Sequence, residues 1–171
     1  ILPGLIMMTA ITNSFSNVAS SFFSTKFQRC HEEFVVAPLH PMTILLGFIS
    51  GGVVRGCLCG VLVSLVGLFF TKIQIAHPLY IVGYLLFTST LFSLAGLING
   101  LVAKRFDDIG IIPTFILTPL TYFAGVFYSI SIIPQPWRSL SLFNPVFYLV
   151  DGFRYGFIGI HDAPLWQGIL L

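Results

Sequence analysis

Long apolar windows, broken by short charged clusters, organise the chain. The windows at 1–25, 43–70, 79–103 and 109–129 hold one charged side chain between them, Arg55. Each is close to what a helix rising ~1.5 Å per residue needs to cross a hydrocarbon layer of ~30 Å, so the pattern predicts four spanning helices. Charges gather instead at 26–41 and 104–108. After Ser129 the pattern changes. Pro134, Pro136 and Pro145 interrupt the apolar run, Trp137 and Arg138 belong at a water boundary, and Asp151 and Arg154 sit in the next apolar stretch. Proline removes a backbone donor, and in lipid every freed backbone group needs another partner. Residues 130–160 therefore read as a surface turn followed by a short re-entrant segment that dips back without crossing. The expected fold class is all-α, a polytopic helical membrane protein in one domain over 1–171.

Within the windows the small and polar positions matter most. The first is polar for a lipid-facing helix, with Thr12, Asn13, Ser14, Ser16, Asn17, Ser20 and Ser21 in its second part. Such a helix is expected to pack against others, or to line a substrate path. In the second window Gly52, Gly56, Gly60 and Ser64 recur every four residues and share one face, which permits close backbone approach within the subunit or across a dimer. Arg55 lies well inside that window, where an arginine costs at least ~2.5–3.5 kcal/mol on insertion scales. It either snorkels to the headgroups or faces a watery or paired interior site. Gly96, Asn99 and Gly100 close the third window, and Pro113 and Pro119 predict a kink in the fourth.

Composition narrows the solvent. Only 8% of the residues are charged and 56% are hydrophobic, with a mean hydropathy of +0.96. Soluble domains carry roughly 25% charged residues, so lipid is the expected surrounding and nucleic acid is not an expected partner. Cys30, Cys57 and Cys59 give neither a disulfide framework nor metal spacing, and Cys57 and Cys59 point to opposite sides of a helix. Residues 1–23 lack the basic start and cleavage site of a signal peptide. There is no GxxxxGK[ST] phosphate loop, no HExxH and no GxSxG, so no catalytic residue, metal site or bound cofactor is expected.

Three strings carry a resemblance: TPLTYFAGVFYS at 118–129, IIP at 132–134, and LFNPVFYLVDGFRYG at 142–156, together with FDDIG at 106–110 and KFQR at 26–29. They resemble the signature of type-2 ABC transporter permeases, the membrane halves of exporters for drugs, lipids and polysaccharides. Such permeases usually have six membrane helices, so the resemblance implies a middle portion without the first and last. It implies a multi-pass protein of the bacterial inner membrane, a homodimer, and a separate ABC ATPase subunit that holds the ATP and magnesium. The segment 26–41 then corresponds to the cytoplasmic coupling helix, with Arg29, Glu32, Glu33, Phe34 and Pro38 contacting the ATPase; an acidic residue shortly before a proline matches the family pattern. Segment 130–160, with Asn144, Pro145, Asp151 and Arg154, is placed on the periplasmic side, closing the outer end of the pathway.

From the residues alone, 26–41 also fits a solvated connector, and 104–108 a locally salt-bridged loop or a second ATPase contact. Asp151 and Arg154 are neighbours at i, i+3 and are expected to pair. The bases Lys26, Arg29, Lys104 and Arg105 outnumber Lys72, Arg138 and Arg154 by one, which favours the first group as cytoplasmic. The rival functions are a membrane scaffold or receptor subunit that transports nothing, and an intramembrane enzyme using Asp151 and Arg154. The substrate is not readable from the chain.

Overall fold

The computed structural model describes residues 2–28, 40–70, 77–126 and 144–158. Every regular element among them is helical: α1 (Leu2–Phe27), α2 (Pro41–Phe70), α3 (Pro78–Val102), α4 (Phe106–Ile112), a π-helical turn (Pro113–Leu117), α5 (Thr118–Tyr122) and α6 (Pro145–Ile158). Two of them, α2 and α3, are long and apolar enough to cross a membrane by length and composition. The helix α1, at 26 residues, is one residue longer than α3, but its hydroxyl and amide side chains lower its hydropathy.

Polarity and burial are inverted relative to a soluble protein. The polar helix α1 is central, with Ile6, Met7, Ala10, Ile11, Phe15, Val18 and Ala19 buried against α2, α3 and α6. The most apolar helix, α2, buries only Ile49, Gly52, Gly56, Gly60 and Gly67, and leaves Leu46, Val54, Leu58, Leu62 and Phe69 exposed. Water would punish that surface; a bilayer does not, because lipid tails are as apolar as leucine. Helix association then depends on close packing and on hydrogen bonds between helices.

The glycines of α2 supply that closeness within the subunit. A Cβ on Gly52 would meet Ser93 Oγ and Val18, one on Gly56 would meet Ser14 Oγ, and one on Gly60 would touch Ile6 and Leu85. Where α3 meets α1, a Cβ on Gly96 would strike the Phe15 carbonyl, and one on Gly100 would stand 3.0 Å from the Ala19 carbonyl. Glycines thus let α2 and α3 lie almost backbone to backbone on α1.

Hydroxyls divide by position. Those of Thr9, Thr12, Ser20, Ser64 and Thr90 donate to the carbonyl four residues earlier, at 2.7–2.9 Å, which satisfies them inside their own helix. The buried hydroxyls of Ser14, Thr88 and Ser93 make no hydrogen bond, nor does Ser89 beyond the Cys57 thiol beside it. Small size, rather than hydrogen bonding, is what these positions contribute to the seam.

The prolines of the fourth apolar window produce a specific defect. Pro113 has no N–H for the carbonyl of Ile109, and Asn99 Nδ2 of α3 donates to that oxygen at 3.2 Å instead. The five residues from Pro113 then widen into a π-turn, in which Thr118 Oγ1 donates to the Pro113 carbonyl at 2.9 Å. Proline breaks and inserted side chains are common causes of such interruptions. The window was expected to span 109–129 with a kink. The helical run instead starts at Phe106 and stops at Tyr122, and Gly125 with φ 72° turns the chain. That left-handed value is the one place in the described backbone where glycine is needed for its conformation.

The last helix among the described residues, α6, has 14 residues and so reaches only about 21 Å, too short to cross the hydrocarbon layer. It is almost wholly buried, with Val146, Phe147, Leu149, Val150, Phe153 and Phe157 in the core it shares with α1. Gly152 and Gly156 face α3, where added Cβ atoms would meet the Tyr84 ring and the Ile81 side chain.

Candidate functional site

Three places carry the polar chemistry: the two ends of the bundle and one point at mid-span. At the first end the C-termini of α1 and α3 meet the N-termini of α2 and α4. Lys26 Nζ donates to the carbonyls of Leu101 and Ala103 at 2.8 and 3.0 Å, so its charge caps the C-terminus of α3. Phe106 packs edge-on against Phe23 and Phe27, with centroids 4.9 and 5.0 Å away, and Phe22 packs on Phe48 at 5.4 Å. These rings join all but the C-terminus of α3 at this end; Lys26 supplies that link. The segment between α1 and α2 leaves from and returns to this end, but Arg29, Glu32, Glu33, Phe34 and Pro38 lie outside the described residues.

The 103–108 loop at this end is organised by Asp108. Its Oδ2 accepts from the backbone N–H groups of Lys104 and Arg105 at 2.9 Å each. Those two amides, with the neighbouring positive charges in a smaller role, hold the Asp108 carboxyl below the usual carboxylate range. A depressed folded-state pKa means the contribution is complete above the ordinary aspartate value of ~3.9 and is lost as pH falls through the folded value. Asp108→Ala should therefore speed amide exchange at Lys104 and Arg105 several-fold at pH 7. The protection of the wild-type loop, once the intrinsic pH dependence of amide exchange is divided out, should not change between pH 6 and 8. Unaltered exchange in the variant would show that Asp108 does not hold the turn.

The other end is built on α6. Asn144 caps it: Oδ1 accepts from Val146 N–H at 3.0 Å, with Pro145 at the first helical position. The same side chain donates Nδ2 to the Leu120 carbonyl at the end of α5, at 2.6 Å. Arg154 Nη2 donates to the Gly125 carbonyl at 2.7 Å, so the left-handed turn is held from α6 as well. Asp151, one turn before Arg154, is 2% exposed and lies near the Tyr84 hydroxyl. His77 N–H donates to the Gly156 carbonyl at 2.9 Å, and its ring stacks on Tyr155 at 5.5 Å while Tyr80 meets both rings edge-on. Of the residues expected here, the structure gathers Asn144, Pro145, Asp151 and Arg154 on one short helix pinned to α3 and α5.

At mid-span, Arg55 Nη1 donates to Asn17 Oδ1 of α1 at 2.9 Å. The position is an exposed one on the outside of the bundle rather than an interior site. The run of glycines explains the hydrogen bond: with Gly51 and Gly52 one turn before Arg55, α1 lies close enough for Asn17 to reach the guanidinium. Asn17 was visible in the sequence only as one of many polar residues, and nothing in its spacing marks it as this partner. No group of three or more His, Cys, Asp or Glu side chains converges among the described residues.

The ABC-2 type transporter family matches residues 1–158. This chain belongs to that family. Within it, the chain is 54% identical over 165 residues to the inner membrane transport permease YadH of Escherichia coli K12, which covers 96% of this chain and 64% of the relative. The same identity and coverage hold for YadH of Shigella flexneri. It is 21% identical over 170 residues to nodulation protein J of Rhizobium leguminosarum bv. viciae, covering 98% of this chain and 66% of that protein. The chain thus spans a little under two thirds of the length of the relatives it matches. No solved structure matches it. For an ABC-2 family chain the inverted packing of α1 and α2 is what integration into a membrane requires.

Proposed function

We propose that this chain is the membrane-embedded part of a permease subunit of an ABC exporter in the bacterial inner membrane. It moves a drug, lipid or glycan-like substrate with ATP hydrolysed by a separate subunit. The family match over residues 1–158 carries this reading, and the name of the 54% identical relative, an inner membrane transport permease, agrees with it. The packing fits the role. A central polar helix with glycine contacts on two sides permits a second arrangement of the bundle, and ATP binding at the partner would bias one of the two.

In this reading two permeases pair with two ATPases, and the permease itself catalyses no reaction. The 26–41 segment is the coupling element, since it leaves from the end where Lys26, Phe27 and Phe106 tie α1, α3 and α4 together. A push there is delivered to the bundle rather than absorbed in a loose loop. Helix α6, with Asn144, Pro145, Asp151 and Arg154, closes the outer end.

The test uses the full-length permease with its cognate ATPase in proteoliposomes. ATP hydrolysis should require the ATPase and should be accompanied by substrate movement. The double variant Glu32→Lys/Glu33→Lys should lower ATPase assembly roughly tenfold or more, because a desolvated charge that loses its partner costs ~2–5 kcal/mol. Membrane insertion should stay normal. A permease that binds no nucleotide-hydrolysing subunit would overturn the reading in favour of a scaffold. Wild-type assembly, hydrolysis and transport in the double variant would reduce 26–41 to a connector.

A further inference from the structure

We infer that Arg55 and Asn17 form a binding point for the anionic headgroup of a membrane-resident amphiphile, on an exposed face of the bundle between α1 and α2. The first observation is placement. Arg55 sits at the middle of the 30-residue α2, about 21 Å from its start at ~1.5 Å per residue. That is deep within the apolar run of the helix, and the residue is exposed. A guanidinium there cannot simply face hydrocarbon.

The second observation is that, among the described residues, Asn17 is the hydrogen-bond partner that Arg55 is given. Asn17 Oδ1 takes the Nη1 donor at 2.9 Å. An amide oxygen is neutral, so the positive charge remains, and a guanidinium presents five donors in a planar fork suited to phosphate or carboxylate. Asn17 fixes the side chain in place and so prepares the fork.

The third is what α1, α2 and α3 of a second copy do not supply. The chain has six acids, Glu32, Glu33, Asp107, Asp108, Asp151 and Asp162, and none lies within α1, α2 or α3. Asp151 is buried in its own protomer. A homodimer that covers this face brings no carboxylate from those helices to Arg55.

The surroundings choose an amphiphile over a soluble anion. Leu58 and Leu62 follow Arg55 at helical spacing on the same face of α2 and are about 60% exposed. On the α1 side stand Asn17 and, one turn before it, Asn13. A headgroup seated on the guanidinium leaves its tail along the leucines, while its remaining oxygens meet the amides. The site rests on the permease reading only for its role in transport: it would be where an anionic amphiphile enters or is passed along.

Binding tests it directly. Full-length wild-type permease in phosphatidylcholine nanodiscs is titrated with dodecyl phosphate, with empty nanodiscs subtracted. Dodecyl maltoside, dodecyltrimethylammonium and inorganic phosphate serve as competitors. Dodecyl phosphate should bind saturably and at least tenfold more tightly than the neutral or cationic dodecyl probes, and inorganic phosphate should not displace it. Arg55→Gln should reduce the preference to below twofold, and Arg55→Lys should keep part of it. Equal binding of the three dodecyl probes to the wild type overturns the inference, as it would if an acid elsewhere in the full-length protein already neutralises Arg55. Displacement by inorganic phosphate also overturns it, by making the ligand a soluble anion. A preference that survives in Arg55→Gln places the site elsewhere. The wild-type comparison decides even if the variant does not fold. Because the readout is binding, absent ATP-driven transport with intact headgroup selectivity would sink the permease reading and leave the site standing.

Discussion

Gly96→Leu should strongly destabilise the folded permease and lower its thermal transition, whereas Gly83→Leu, on the same helix, should be close to neutral. Gly96 touches α1 at its backbone: a Cβ there would land on the Phe15 carbonyl and within 3.1 Å of the Phe15 Cα. Peptide atoms cannot swing aside as a side chain can, so α3 would have to move off α1 along its length. Gly83 has nothing within 4 Å of its would-be Cβ. Adding methylenes to a packed core commonly costs ~1–3 kcal/mol, and a whole leucine against backbone belongs at or above the top of that range. A loss of ~3 kcal/mol lowers the folded-to-unfolded ratio on the order of 100-fold. The monodisperse fraction of detergent-extracted full-length protein, and its thermal transition, report the outcome. If Gly96→Leu elutes and melts as the wild type does, α1 and α3 are not in the contact described here.

The contrast between these two glycines shows how much of the fold was legible in the sequence. The first three apolar windows match helices to within a few residues, since a bilayer imposes length directly. The four-residue recurrence of Gly52, Gly56 and Gly60 announced a packing face, because helical periodicity projects those positions onto one side. What covers such a face is not a local property. Gly83 and Gly96 look alike in sequence, and only the tertiary partner distinguishes them. The same limit applies to the polar partners. Arg55 was conspicuous as a lone charge, but Asn17 was one amide among several hydroxyls. Pro113 predicted a broken hydrogen bond, but not that Asn99, fourteen residues earlier and across a loop, would mend it. Pro119 and Gly125 lay inside a window uniform enough to read as helix to 129, and the positive φ at Gly125 ends it sooner. The coupling residues Arg29 to Pro38 rest on the sequence and the family resemblance.

Asn144→Leu should release α6 from the bundle. The substitution nearly keeps volume, so packing changes little and hydrogen bonding changes most. Asn144 is 5% exposed, and both ends of its amide are used. Loss of Oδ1 removes the cap on Val146 N–H, which is worth ~0.5–2 kcal/mol at helix N-termini. Loss of Nδ2 leaves the Leu120 carbonyl buried without its donor, at ~1–3 kcal/mol for such an orphan. The combined effect is about 2–4 kcal/mol, concentrated on a 14-residue helix also held by apolar contacts, by Arg154 on Gly125 and by His77 on Gly156. Asn144→Asp separates the two parts: it keeps a capping oxygen on Val146 but turns a carboxylate toward the Leu120 carbonyl, so it should rescue little. The readout is thiol labelling at Val150→Cys, a position 1% exposed in the intact fold, with Cys30, Cys57 and Cys59 replaced by alanine. Labelling should rise more than tenfold with Asn144→Leu, while a reporter at Ile11→Cys in the α1 core stays protected. Equal protection at both positions would mean that apolar burial alone seats α6. Equal loss at both would mean that the bundle and α6 unfold as one unit, and the amide bridge would then be part of the core rather than a clasp upon it.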